Sequence, residues 1–350
     1  MTIRWLLPCL FLPTLILQSH HKILANAKIV GGAVIPHGDF AYDPSLVHGK
    51  NGSKELHKAA LRVGRWIEQL EPDVILLSTP HGMELAEDFL IYQNDMLNGC
   101  AELGGDLHNK SFPSYKVGRI EAMMMMMKDD DDDGSGESCM VFVVMMVCAN
   151  LTTDAELATS LVQKLEHKQR LTGILGFANS MPLPVSWGEI LPYSFLPAEF
   201  QPKVIILGIP YSRYNHSVDM VPELVDLGFN MGHILDESPK RVVLVVSSDL
   251  AHTHQIEGPY GYCPCAQPFD DASGAWASTM DSWNIRNKAA KQQALGAKSC
   301  GFPGMVLFDG LLDVIRNGSG TPWRSQLMAN FHPTYYGMMI ARFGPESTFT

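Results

Sequence analysis

The segments KIVGGAVIPH (28–37) and VILLSTPH (74–81) share one grammar: an apolar, β-branched run, then Pro, then His. Such a run reads as a strand buried on both faces, and Pro closes it because proline brings no N–H to a central ladder. Between the two, KELHKAALRVGRWIEQL (54–70) sets Leu56, Ala60, Val63, Ile67 and Leu70 on one helical face, and Glu71-Pro72-Asp73 stops it. Strand, helix, strand predicts a right-handed crossover between parallel strands. A third run, RVVLVVSSDL (241–250), leads straight into Asp249, His252 and His254.

Outward from this nucleus, Cys139 to Cys148 and Val204 to Pro210 read as further buried strands, and Tyr335 to Phe343 as a closing one. Helices are expected over Ala155 to His167, capped by Thr153 or Asp154, over Val218 to Leu235, over Asp270 to Leu295 and over Phe302 to Ile315. No stretch resembles a linker between independent domains. The expected fold class is therefore α/β, a single domain over 28–345 with a central, mostly parallel mixed β-sheet flanked by helices.

The chain has 350 residues, 46% hydrophobic and 18% charged, enough to bury a substantial core. Its formal charge of −11 argues against a nucleic-acid surface, and a net −5 of that falls between Lys128 and Glu137. Residues 123–138 are expected to be a low-complexity, Asp-rich surface insertion; five consecutive Asp without alternation do not make a calcium loop. The apolar run Trp5 to Leu17, broken by Pro8 and Pro13, is too short to span a membrane, which takes roughly 20 residues. With Ala25-Asn26-Ala27 it makes residues 1–27 either a secretory signal peptide, placing the protein in the secretory pathway, or a variable extension on a cytoplasmic enzyme. The seven cysteines suggest no disulfide framework, and Cys263-Pro264-Cys265 lacks the second pair that a zinc site would need.

The chemistry is expected where His37, His81 and His252 follow their strands. In open α/β sheets ligands bind outside the carboxyl ends of strands, so three such ends can face one crevice. Imidazole is a common ligand for transition metals, and two on one side leave positions open for a substrate and a small molecule such as O2.

Four segments, GGAVIPHG (31–38), VILLSTPHG (74–82), VVSSDLAH (245–252) with EGPYGY (257–262), and KSCGFPG (298–304), resemble the class III extradiol ring-cleavage dioxygenases, the family of the protocatechuate 4,5-dioxygenase catalytic subunit, and the related Memo-like proteins. The resemblance implies a non-haem Fe(II) enzyme that opens a catechol-type aromatic ring with O2. It matches His37 and His81 to the metal-binding histidines and His252 to the catalytic acid/base, and Asp249 is a candidate to orient that imidazole or to hold substrate.

The sequence departs from the family at Ser299, which stands where many relatives carry the Glu that completes the ligand set. Cys300 resembles the cysteine of Memo-like proteins and is the candidate third ligand, with His216, His254 and His332 as substitutes. Zn and Cu are alternatives to Fe(II), and a Memo-like metal-binding or redox scaffold is the alternative to ring cleavage. A metal-assisted hydrolase is a third reading, without an H-E-x-x-H or nucleophile-elbow motif to support it. The expected partners are a small aromatic substrate and O2, with pairing into a homodimer as in relatives, and no nucleic acid or membrane span.

Overall fold

The computed structural model describes residues 29–83, 85–104, 120–126, 141–176, 178, 181–318 and 321–349. The opening extension, residues 1–27, and the Asp-rich part of the expected insertion lie outside them. In chain order the strands are β1 (Ile29–Ile35), β2 (Val74–Thr79), β3 (Phe89–Tyr92), β4 (Met96–Leu103), β5 (Ile120–Met126), β6 (Val141–Thr152), β7 (Leu171–Ile174), β8 (Leu183–Pro184), β9 (Lys203–Gly208), β10 (Val242–Ser247), β11 (Trp323–Phe331) and β12 (Met338–Pro345). The main helices are α1 (Ser53–Gln69), α2 (Ala155–Leu165), α3 (Trp187–Ser194), α4 (Val221–Glu237), α5 (Ala266–Thr279) and α6 (Phe302–Gly318).

Eight strands form one sheet in the order β11-β12-β1-β10-β2-β9-β3-β7. The contiguous block β1, β10, β2, β9 is parallel throughout, while β12 and β3 join its two sides antiparallel. This is the α/β architecture read from the sequence. β1, β2 and β10 are buried at every position, because both faces are covered. Along them Val34, Leu76, Leu244 and Val246 turn to one core with α4, α5 and α6, and Ala33, Ile35, Ile75, Leu77 and Val243 turn to another with α1. The chain leaves β1 toward α1 on one face and leaves β10 toward α5 on the other. Two adjacent parallel strands whose continuations part to opposite faces open a crevice at their carboxyl ends, and His37 and Asp249 stand there.

Several elements differ from the sequence reading. The helix expected over 270–295 begins earlier, at Ala266, and breaks at Met280, whose φ of 55° ends α5; the chain then winds in wide turns from Asn284 to Ala297. Asp154, not Thr153, caps α2, its carboxylate accepting the Leu157 N–H at 3.1 Å. The Met-rich start of the expected insertion belongs to β5, which pairs antiparallel with β6 in a second sheet of order β5-β6-β4-β8. In that sheet Cys100 stands directly opposite Cys148, and the two form a disulfide; Cys263 and Cys265 form another. The expectation of no disulfides is therefore corrected: cross-strand register, which spacing does not reveal, brings the first pair together. Among the described residues no helix is long and apolar enough to cross a membrane.

Two close contacts generate tests of the fold. α4 and α6 approach so closely that a Cβ on Gly228 would lie 1.9 Å from the Leu307 carbonyl oxygen, and one on Gly310 would lie 2.3 Å from that of Val225. Gly228→Ala should lose about 1–3 kcal/mol in thermal or urea unfolding despite the better helix propensity of alanine. Gly318→Ala, where a Cβ meets nothing within 4 Å, should stay within about 0.5 kcal/mol of the parent.

The second contact is the capping box of α3, in which the carboxylate of the fully buried Glu189 accepts the Ser186 N–H at 2.9 Å. Burial pushes the Glu189 carboxyl up to about 7, opposed by the hydrogen bond from the Ser186 N–H. The folded state thus holds this proton more tightly than the unfolded chain, so the contribution is fully present below the usual carboxylate range and is lost as pH rises through about 7. In denaturant titrations between pH 4 and 8 the parent should lose on the order of 3 kcal/mol more than Glu189→Gln does; an identical pH slope in both proteins would refute the assignment.

Candidate metal centre

The crevice at the ends of β1, β10 and β2 is a cleft of about 970 Å³, and its lining includes His37, His81, Asp249, His252 and Cys300. All five residues named from the sequence therefore meet in one place.

His37 forms the floor, 3% exposed. Its Nδ1 lies 2.9 Å from the Ser247 hydroxyl at the end of β10, and that hydroxyl gives its one proton to the Gly188 carbonyl. Ser247 can then only accept from His37, so the imidazole proton sits on Nδ1 and the Nε2 lone pair faces the cleft. Cys300 Sγ lies 3.3 Å and Asp249 Oδ2 3.2 Å from that nitrogen. His81 meets the His37 ring edge-on at 4.8 Å and stacks on Trp187 of α3 at 5.2 Å. α3 is itself tied to the His81 backbone, since the Ser186 hydroxyl donates to the His81 carbonyl at 2.7 Å.

His252 lines the same cleft. Its Nδ1 donates to the Leu250 carbonyl at 2.9 Å, and its ring stacks on Tyr336 at 5.5 Å with Tyr260 edge-on at 5.8 Å. Asp249 does not take the orienting role expected of it toward His252: its carboxyl pairs with His37 and accepts the Gly38 N–H at 3.3 Å. The Leu250 carbonyl orients His252 instead.

The segment after Lys298 wraps the Asp249 backbone. The Asp249 carbonyl accepts the Ser299 hydroxyl at 2.8 Å and the Gly301 N–H at 3.1 Å. The Ser299 side chain is therefore committed to the backbone, and the next residue, Cys300, points at His37. Of the substitutes, His254 is bound to Asp270 at 2.8 Å and stacked on His332 at 4.2 Å, a pair apart from the cleft floor, and His216 lines the rim close to Asp219.

Burial governs the electrostatics. It pushes His37 well below the ordinary histidine range, helped by His81 and His252; it pushes His81 down to about 4, helped by His252; and it pushes His252 to about 4 against the backbone hydrogen bonds at Leu250 and Lys298. The imidazoles are accordingly neutral at physiological pH, with lone pairs available. Burial, with Asp39 adding to it, raises Asp249 to about 8 against the N–H groups of Gly38 and His37. It also raises the Cys300 thiol, with Asp249 adding to the effect. Ligand atoms of His37, His81 and Cys300 lie within 4.8 Å of one another, as do those of Asp249, His252 and Cys300. Two neutral imidazoles, a thiol and an adjacent carboxyl suit one transition-metal ion.

Ser247 is a neighbour of the cleft residues that the sequence reading missed, though it is visible as the polar end of an otherwise apolar strand, whereas Trp187 lies in the aromatic-bearing stretch 181–200, in which a pocket lining is expected from the sequence. Comparison with known protein families and with curated proteins finds no match for the chain.

An ion held by these donors should depend on the hydrogen bond behind His37 as well as on the donors. Ser247→Ala is expected to weaken Zn(II) or Fe(II) binding ~10–100-fold, and His37→Ala by more, in competition titrations with a chromophoric chelator. Equal affinity in the parent and both variants would place the ion elsewhere.

Proposed function

We propose that this protein is a metal-dependent oxidoreductase of the extradiol ring-cleavage kind, holding Fe(II) on His37, His81 and Cys300 and acting on a catechol-type aromatic with O2. The observation that carries this reading is the His37 Nε2 lone pair, fixed by Ser247, facing Cys300 Sγ at 3.3 Å in the cleft that His252 also lines. Bound Fe(II) would supply redox chemistry between an electron-rich aromatic diol and O2, held together in one site.

The rest is the work of the chain. Leu250 holds the His252 proton on Nδ1 and leaves Nε2 as the base for a substrate hydroxyl. Trp187, Tyr260 and Tyr336 offer flat apolar surface to an aromatic ring, and the stack of His252 on Tyr336 limits how far the imidazole can rotate. Asp249, held by Gly38 and His37, is a local proton reservoir beside the donor set.

One observation favours a second reading, a Memo-like redox or metal-binding scaffold with little ring cleavage. Ser299 stands where the family's carboxylate is expected and the donor that faces His37 is the Cys300 thiol, and a thiolate suits copper better than it suits oxygen activation at iron.

Anaerobic reconstitution with Fe(II), followed by oxygen uptake across a panel of catechols, tests the two. The first reading expects substrate-dependent uptake with a ring-fission chromophore, and a fall in kcat of ~10²–10⁴ in His252→Ala at unchanged metal content. Copper binding that depends on Cys300, with neither uptake nor chromophore on any catechol, would establish the second in its place.

A further inference from the structure

The disulfide Cys263–Cys265 spans only Pro264. A link across so short a segment restrains the unfolded chain little, so its contribution to stability is small, in contrast with Cys100–Cys148, whose partners are 48 residues apart. The two sulfurs have different surroundings. Cys263 is half-buried at the surface, while Cys265 is 4% exposed and immediately precedes the 14-residue helix α5. The Cys265 N–H points at Cys263 Sγ at 3.2 Å.

We infer that Cys263–Cys265 is a thiol–disulfide exchange site, reduced by a low-molecular-weight thiol, whose state controls the loop over the cleft. The attacking thiolate reaches Cys263 Sγ, the accessible sulfur. The Cys263–Cys265 bond breaks, and its electron pair leaves on Cys265 Sγ, where the amino end of α5 favours a thiolate. A second thiolate then attacks the mixed disulfide, releasing the small-molecule disulfide and the Cys263 thiolate. In sum, two thiols give two electrons and two protons to the protein and leave as one disulfide. Once free, the Cys263 thiol has an acceptor ready, the Leu295 carbonyl 3.7 Å away.

The position gives this exchange its consequence. The Cys263 N–H donates to the Thr253 carbonyl at 2.9 Å, one residue from His252. The Thr253 hydroxyl reaches the carbonyls of Gly296 and Ala297 at 3.3 and 3.4 Å, and the Ala297 carbonyl accepts the His252 N–H at 2.8 Å. Three residues before Cys263, Tyr260 lies edge-on to His252 with the Lys298 ammonium 5.3 Å from its ring centre. The loop that carries the disulfide is thus tied, through the Cys263 N–H and Thr253, to the segments that present His252 and Cys300. Opening it frees Cys263 from Cys265 and so loosens the loop that carries Tyr260 to the edge of the His252 ring.

The test uses the full, oxidised, metal-free protein, so its outcome does not depend on whether the cleft binds iron or cleaves catechols. The protein is equilibrated anaerobically in graded reduced and oxidised glutathione, quenched with acid and alkylated, and both cysteine pairs are read by peptide mass spectrometry in the same sample. Cys263–Cys265 should be half reduced in a buffer ~100-fold less reducing than Cys100–Cys148 requires. With oxidised glutathione, Cys265→Ser should acquire an adduct on Cys263 ~10-fold faster than Cys263→Ser acquires one on Cys265. Hydrogen exchange over residues 252–263 should accelerate on reduction, and the double variant Cys263→Ser with Cys265→Ser should match the reduced parent. Co-titration of the two pairs, or greater resistance of Cys263–Cys265, would overturn the exchange site. Unchanged exchange over 252–263 would overturn its control of the loop.

Discussion

The Ser247 hydroxyl has one proton to give, and the Gly188 carbonyl takes it. The chemistry of the cleft floor depends on that commitment, because it turns Ser247 into an acceptor for His37 Nδ1 and so fixes which nitrogen of His37 faces the cleft. The bond exists because β1 and β10 pair in parallel with Ile35 opposite Ser247, so the residue two beyond Ile35 can reach back to the end of the neighbouring strand. It also ties α3 to the sheet, since Gly188 belongs to the helix whose Trp187 stacks on His81. A single hydroxyl thereby couples two histidines from different strands.

Asp249 has the complementary part. Its backbone carbonyl gathers the Ser299 hydroxyl and the Gly301 N–H, while its carboxyl reaches His37 and the Gly38 N–H. One residue therefore fastens the end of β10 to the turn after β1 and to the turn that opens α6. Lys298 enters that last turn with a φ of 55°, and at Gly301 a Cβ would lie 1.7 Å from the Ser248 hydroxyl, so the chain between them has little freedom. Cys300 is placed by this backbone path and by its own sulfur, which lies 3.3 Å from His37 Nε2 and 3.7 Å from the Asp249 carbonyl oxygen.

The sequence displayed the strands and their terminal histidines because a central parallel strand must be apolar along its length and can turn polar only where it ends. That is why the runs before His37, His81 and Asp249 were legible, and why the α/β class followed. Strand order was not legible. Nothing local to KIVGGAVIPH says that its neighbour is residues 242–247 and not the next strand in the chain, yet that neighbour decides the partners of His37. β11 escaped notice because its burial is mixed from Trp323 to Phe331, an edge strand with half-exposed positions. Nearness along the chain points Asp249 toward His252, three residues on, or toward a bound molecule, while the pairing of β1 with β10 brings its carboxyl to His37.

The same reasoning bears on the departure at Ser299. A reading by position takes a serine in place of an acid as a lost ligand and a weakened site. In the folded chain the side chain of residue 299 is buried against the Asp249 carbonyl, and Gln293 holds the backbone of that residue on both sides, its amide oxygen accepting the Ser299 N–H at 2.9 Å and its amide nitrogen donating to the Ser299 carbonyl at 3.1 Å. A hydroxyl suits that place because it gives one proton to one carbonyl and leaves no buried charge; a carboxylate there would meet a carbonyl oxygen with no proton to share. The donor that faces His37 is consequently residue 300. The serine is thus part of the turn that delivers the thiol, and the polarity of the floor is set by Cys300 and Asp249 together.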